Sequence, residues 1–291
     1  MKETRVLVFG ALGQIGTALR LSAGPKITVI SHDLAQTDIC DRDAVARAIE
    51  QTAPTVVINC AAFTRVDDAE TQRDEAFAAN GVAPGLIADA CTKSSVRLIH
   101  LSTDYVFDGK AHVPYLPDAT VAPINVYGAS KLDGERRVLA NAPTSVVLRT
   151  AWVHSGGGVN FIKTVVRLLT SGTPMRVVDD QIGTPTRAAS IAEAIWRLVA
   201  REDVRGVLHF TDAGVASWFD VAVAVEETLR AAGRLREGVG VLPSRTEDFP
   251  RPARRPMFSV LDKHASWDAI GFVPAHWREG VIASTMEMLN A

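Results

Sequence analysis

Five short runs of apolar, largely β-branched residues constrain this chain more than anything else in it: "RVLVFG" (residues 5–10), "KITVIS" (26–31), "TVVINCA" (55–61), "VRLIHLS" (96–102) and "SVVLRTA" (145–151). They have strand length, and their near-continuous apolarity suits strands covered on both faces. The stretches between them, 14–21, 42–51, 73–92 and 126–141, carry helical patterning. Strand and helix in alternation build βαβ units, so the expected class is α/β with a doubly wound parallel sheet.

After Ala151 the pattern loosens. A glycine-rich turn, "HSGGGVN", precedes a helix over 161–170 and a strand at "MRVVDD", while a helix over 188–200 and a strand at "GVLHFT" (206–211) continue the sheet. From Trp218 onwards, helical "WFDVAVAVEETLRAA" gives way to "PSRTEDFPRPARRP", rich in proline and arginine. The expected division is a dinucleotide-binding domain over 1–150 plus about 176–214, and a smaller substrate-binding lid over about 151–175 plus 215–291. A chain of 291 residues is long enough for both.

Composition removes several classes of function. Thirty-one basic residues against 33 acidic ones, with no long Lys/Arg run, leave no phosphate-backbone track, so no nucleic-acid partner is expected. No apolar run is long enough to span a bilayer, and "MKETRVLVFG" reaches a strand without room for a signal sequence. A cytoplasmic protein without membrane contact is the expectation. Cys40, Cys60 and Cys91 form no CxxC pair and the seven histidines are dispersed, so neither a disulfide framework nor a metal is expected.

"FGALGQIG" sets Gly10, Gly13 and Gly16 between the first strand and the first helix, a Rossmann-like arrangement. Gly10 permits the tight turn, Gly13 lets the backbone approach a pyrophosphate, and Gly16 lets helix and sheet pack closely. The helix start, with Gln14 and Ile15, presents unpaired N–H groups to the phosphates. Asp33, after the second strand, is placed to hold an adenosine ribose, its alternative being a solvated loop carboxylate. Asp41 sits where a loop could bond the adenine amino group. No arginine follows the second strand as a 2′-phosphate clamp, so the residues leave NADPH and NADH open. Ala61 and Ala62 let the cofactor pass close to the third strand's end, and Thr64 continues along it. Asn80 either contacts the cofactor or ties this loop to the fourth strand.

"LSTDYVFDG" leaves the fourth strand at the carboxyl edge, where open α/β sheets bind ligands, and aims the Thr103 hydroxyl at the nicotinamide position. "NVYGASKLDGE" puts Tyr127 and Lys131 one turn apart on one face of the next helix. A carbonyl that receives hydride needs a proton donor and a second donor to hold its oxygen. Tyr127 is the expected proton donor, Thr103 the holder. Lys131 is expected to lower the phenol's pKa from about 10 and to anchor the nicotinamide ribose.

With these blocks in view, the chain resembles the dTDP-4-dehydrorhamnose reductases, an extended branch of the short-chain dehydrogenase/reductases, nearly end to end. "NCAAFTRVDDAE", "PINVYGASKLDGE" and "RPMFSVLD" are similar to family blocks, and "STDYVFDG" with "RTAWV" and "DQIGTPT" is specific to it. The resemblance implies NADPH-dependent reduction, with NADH possible, of the 4-keto group of a dTDP-6-deoxy sugar. It implies Thr103, Tyr127 and Lys131 as the catalytic set, with Asp104, Val106, Trp152, Asn160, Gln181 and Arg255 facing the nucleotide sugar. The Arg255 guanidinium also suits a diphosphate on its own chemistry. His154 and Phe258 depart from the family pattern and bear on the sugar or base accepted. Ala189 stands where members with a metal-linked dimer carry glutamate, so no metal site is carried over, and a monomer or weak homodimer is expected. The competing readings are another nucleotide-sugar epimerase or reductase, and a non-catalytic regulatory module of the methionine adenosyltransferase type.

Overall fold

The computed structural model describes residues 4–290. In chain order the strands are β1 (Thr4–Phe9), β2 (Ile27–His32), β3 (Val56–Asn59), β4 (Arg97–Thr103), β5 (Val146–Thr150), β6 (Val153–His154), β7 (Met175–Val178), β8 (Ile182–Gly183), β9 (Thr186–Arg187), β10 (Gly206–His209), β11 (Ala216–Ser217) and β12 (Val241–Ser244). The helices are α1 (Gln14–Ser22), α2 (Arg42–Thr52), α3 (Arg73–Phe77), α4 (Ala83–Lys93), α5 (Val126–Asn141), α6 (Phe161–Thr170), α7 (Ala188–Val199), α8 (Trp218–Ala231), α9 (His264–Ile270) and α10 (Trp277–Leu289).

Six strands form one parallel sheet in the order β10-β5-β4-β3-β1-β2. Successive side chains point to opposite faces, and both faces are covered. Val6 and Val8 of β1 join Ile58, Ile99 and Leu148 in a core shared with residues of α1, α7 and α9. Leu7 and Phe9 join Val57, Leu98 and Val147 in a second core shared with α2, α4 and α5. The chain winds outward from β1 to β2 on one side and from β3 to β10 on the other. At the reversal between β1 and β3 the following loops diverge and open a crevice at the carboxyl edge.

A third apolar cluster stands apart, with Ile162, Val165, Val177, Val221, Val225, Val241 and Val281 drawn from α6, β7, α8, β12 and α10. Residues from about 176 to 187 were expected with the main sheet; instead β7 pairs with β12, β8 with β11 and β9 with β6. The reason lies in the burial of β7, where only Val177 is fully covered. That one-sided pattern suits a two-stranded ribbon and not a sheet covered on both faces. Conversely, α9 falls in the segment expected in the lid, yet Trp267 and Ile270 are buried in the main core.

The helix expected over 73–92 is divided into α3, a π turn over Ala78–Val82, and α4. Pro84 has no N–H to offer the Asn80 carbonyl four residues earlier. That carbonyl packs on α5 instead, so closely that a Cβ at Gly134 would come within 2.1 Å of it.

Beneath α5 lies a buried ion pair. Arg149 of β5 donates to Glu135 of α5 through Nη2 at 2.7 Å and Nε at 2.9 Å, and Ser102 of β4 donates to the same carboxylate. Both charged side chains are nearly sealed, at 4% and 2% exposure. Removing one partner strands the other, so Arg149→Met should lower unfolding free energy by about 3–5 kcal/mol. Urea denaturation measures this, and Arg149→Met combined with Glu135→Leu should recover a large part of the loss.

Candidate active site

The turn after β1 is built by close approach of backbone to backbone. Gly10 has φ +74°, and a Cβ there would lie 2.6 Å from the Ala61 nitrogen, so the ends of β1 and β3 meet only because glycine stands at this position. At Gly16 a Cβ would lie 2.3 Å from the Gly10 oxygen, which fixes α1 against the turn. Gly13 is the N-cap of α1, no side chain caps it, and no acidic residue stands in the first turn. The leading N–H groups and the positive helix end are therefore available to an anion, as a dinucleotide's diphosphate requires.

Asp33 braces this turn, its carboxylate accepting from Leu12 N and Leu34 N, each at 2.9 Å. Asp41, expected at the adenine, caps α2 instead by accepting from Asp43 N at 2.9 Å and Ala44 N at 3.1 Å. Asn80 is fully buried and binds both backbone groups of Phe63, and its amide also reaches Ser130 at 3.0 Å. It ties the β3 loop to α5 rather than to the fourth strand. A short polar side chain serves such local backbone bonds as readily as a ligand, which is why its sequence position alone is ambiguous.

A cleft of about 610 Å³ opens at the switch point. Gly13, Gln14, Ile15, Gly16, Ala62 and Thr64 line one part of it, and Thr103, Asp104, Tyr127, Lys131 and Trp152 another. Asn125 caps α5 by accepting from Gly128 N at 2.7 Å, and Val126 N is held by Glu70 at 2.9 Å. A Cβ at Gly128 would lie 2.1 Å from the Tyr105 carbonyl, so the start of α5 sits hard against the loop leaving β4. This packing brings Tyr127 beside Thr103.

Thr103 donates to Asp104 at 3.0 Å and accepts from Tyr105 N at 3.2 Å. Burial pushes Asp104 up to about 6, against the pull of the Ser259 and Thr103 hydroxyls. Burial also pushes the Tyr127 phenol up to about 12, against the lowering effect of its hydrogen bond with Thr103 and with the Asp104 charge adding to the rise. The expected lowering by Lys131 is not what the protein groups produce. Lys131 is buried, donates to the Leu101 carbonyl at 2.7 Å, and is itself brought down to about 8 by desolvation, against the charges of Glu135 and Cys60. A tyrosine at its ordinary pKa is already protonated at neutral pH, so the rise leaves that state unchanged, and the lowering that would make the phenol a readier donor has to come with the bound cofactor and substrate.

Trp152 adopts φ +48°, rare for a non-glycine residue, and stacks on Trp218 at 3.7 Å between centroids and 4° between planes. Both indoles line the cleft. Gly183 packs against Trp152 as well, and a Cβ there would lie 2.5 Å from the indole Cε2. Trp152 is therefore a wall of the cleft whose other side packs on the third apolar cluster. Trp218, read from the sequence only as the start of a helical stretch, follows the Ser217 capping box that starts α8, a signal for the helix that says nothing of the indole's partner. Tyr105, Gly158 and Val159 also line the cleft without having been singled out.

The other expected substrate contacts have partners within the chain. Val106 is wholly buried in a satellite core with Phe107 and Tyr115. It closes a 3-10 turn over Asp104–Val106 in which Asp104 is buried as well, and the turn carries its side chain into the interior. Gln181 donates to Thr246 at 3.0 Å. Asn160 caps α6 through Lys163 N and gives its amide to Gln14, Ser155 and Gly157. Arg255 pairs with Asp67 at 3.0 Å, while its buried Nη1 has no hydrogen-bond partner among the described residues. His154 is buried on Ser284 at 3.0 Å, and Phe258 packs at 6.5 Å from the Tyr115 ring, so neither departure from the family pattern lines the cleft. Among the described residues no group of three or more His, Cys, Asp or Glu side chains converges as a metal site would require.

A glycine turn at the sheet's switch point, opening onto Thr103, Tyr127 and Lys131, places the chain among the extended short-chain dehydrogenase/reductases. Within that class it belongs to the family described as "RmlD substrate binding domain", whose model matches residues 4–290. The chain is 41% identical to a dTDP-4-dehydrorhamnose reductase of Mycolicibacterium smegmatis over 99% of its own length and 86% of that protein. A crystal structure of a dTDP-4-dehydrorhamnose reductase from Clostridium acetobutylicum superposes with a TM-score of 0.91 at 36% identity, covering 99% of this chain and 100% of that one. The Bacillus anthracis dTDP-4-dehydrorhamnose reductase in complex with NADP gives 0.90 at 34% identity, with the same coverage of both chains.

Two consequences can be measured. Gly183→Ala should displace Trp152 and abolish the near-ultraviolet circular dichroism couplet of the stacked indoles, at a cost of about 1–3 kcal/mol in stability. For Lys131, a depressed pKa means that the unfolded chain binds more protons between pH 8 and 10.5, so stability gains a rising component across that window. The urea midpoint of the cofactor-free protein should carry that component, and Lys131→Met should lose it.

Proposed function

We propose that the protein reduces the 4-keto group of dTDP-4-dehydro-L-rhamnose to give dTDP-L-rhamnose, using NADPH, with NADH as an alternative donor. The observation that carries this reading is the convergence of Thr103, Tyr127 and the buried Lys131, one turn along α5 from that phenol, on the same cleft as the uncapped start of α1. Family membership and the NADP-bound relative support the choice of cofactor and substrate.

NADPH, when bound, supplies a hydride to the carbonyl carbon. The chain's own residues deal with the charge that then develops on oxygen. Thr103 holds the oxygen by its hydroxyl and Tyr127 gives it a proton, leaving a phenolate. Lys131, still largely an ammonium at neutral pH, stabilises that phenolate from the next turn of α5. The Trp152 and Trp218 wall excludes water from the sugar, and Arg255, with its unpaired Nη1, offers a guanidinium N–H to the substrate diphosphate. Asp33, near the ribose edge, suits a 2′-hydroxyl, which is why NADH remains usable. We place the protein in the cytoplasm as a monomer or weak homodimer. Ala189, exposed near the start of α7, brings no carboxylate to a metal shared between copies.

Oxidation of NADPH and NADH by the purified chain with dTDP-4-dehydro-L-rhamnose tests this directly. Turnover is expected, with Tyr127→Phe lowering kcat by about 10²–10⁴ while NADPH still binds. Cofactor binding with no turnover of any keto sugar would instead mark a regulatory module. Cofactor retained through dialysis and a product of inverted configuration at unchanged oxidation state would mark an epimerase.

A further inference from the structure

Gln14 belongs to the glycine turn, yet its side chain is engaged with the opposite half of the cleft. Its Oε1 accepts from Ser155 Oγ at 2.8 Å and from Asn160 Nδ2 at 3.0 Å, and its Nε2 donates to the Val153 carbonyl at 3.5 Å. These partners bracket the strap "SGGGVN", residues 155–160, whose Gly158 and Val159 line the cleft together with Gly13 and Gln14. Gly158 crosses so near Gln14 that a Cβ would lie 3.1 Å from its Cγ, and Val159 is 94% exposed.

Three successive glycines have no side chains to pack, so the strap is held by its end residues, which also gather its middle: the Gly157 carbonyl accepts from Ser155 Oγ at 2.8 Å and from Asn160 Nδ2 at 3.2 Å. At one end Glu287 of α10 accepts from Gly156 N at 3.1 Å while paired with Arg187. At the other, Asn160 accepts from Lys163 N to start α6 and turns its amide to Gln14. Gln14 is thus the point where the turn that receives a diphosphate grips the segment leading into the lid's helices. An anion on the start of α1 fixes the backbone there, including that of Gln14. Ordering that backbone removes freedom which the latch would otherwise have to freeze, and by reciprocity the latch favours the bound anion.

We propose that Gln14 is a positioning residue that latches the 155–160 strap onto the glycine turn, so that a cofactor seated on that turn tightens a latch already formed and the strap, held in place, favours the sugar nucleotide. The proposal rests on the reductase reading above. Hydrogen–deuterium exchange of residues 155–160, with and without NADPH, tests it alongside a direct fluorescence titration of NADPH and steady-state kinetics. In the wild type NADPH should slow exchange in the strap about tenfold or more. In Gln14→Ala, NADPH should bind about tenfold more weakly, the reciprocal of the slowing that is lost, the slowing should vanish, and KM for the sugar nucleotide should rise about tenfold with kcat changed less than about threefold. Ser155→Ala, which leaves the turn untouched, should move each quantity the same way by a smaller factor.

Equal slowing of the strap in wild type and Gln14→Ala would overturn the latch, as would sugar-nucleotide binding that is equally tight without cofactor. A wild-type chain that protects its strap on binding NADPH but reduces no keto sugar would sink the reductase reading and leave the latch standing.

Discussion

The pair between Arg149 and Glu135 holds the site in place. Two sealed charges joined through two N–H groups add little net stability over a well-packed apolar pair, because desolvation offsets most of their attraction. What they provide is register. Glu135 stands one turn beyond Lys131 and two beyond Tyr127 on α5, and Arg149 stands on β5 beside the strand that ends in Thr103. Sliding α5 by a residue would leave both charges buried and unpaired. The three groups on which the chemistry turns are therefore fixed to one another by a contact that touches none of them.

Desolvation then sets the protonation states in the cleft. It raises the phenol of Tyr127 and the carboxyl of Asp104 and lowers the ammonium of Lys131, each toward its neutral form. For a reductase the rise at the phenol does not change its protonation state, since an ordinary tyrosine already keeps its proton at neutral pH, but it makes the proton harder to give. Lys131 matters after transfer, when a phenolate needs a neighbouring cation.

The two halves of the molecule meet at the cleft through few contacts, each between residues far apart in the chain. The Trp152 backbone is strained into the left-handed region, and its indole is held by Trp218 and by the bare backbone at Gly183. Gln14 reaches Asn160 across 146 residues. The strap and the indole wall thus frame the same opening from two sides, one tied to the cofactor turn and the other to the lid's helix α8.

The strands of the main sheet, the glycine turn and the Tyr127–Lys131 spacing were legible in the sequence because each depends on residues close together in the chain, whereas Thr103 joins that pair through the packing of α5 on the loop after β4. Apolar runs name a covered strand, glycines after a strand name a tight turn, and a spacing of four names one helix face. Even the π turn at Asn80 has a local cause in Pro84, though only the packing against Gly134 gives it a purpose. What tertiary structure decided were the roles of side chains with more than one possible partner. Asp41 became a cap, Val106 went to the core, Asn160 and Gln181 were taken by other side chains, and β7 left the main sheet for β12. Local pattern fixes which way a backbone runs, while a polar group's partner, and a phenol's pKa, depend on what the rest of the chain brings alongside it.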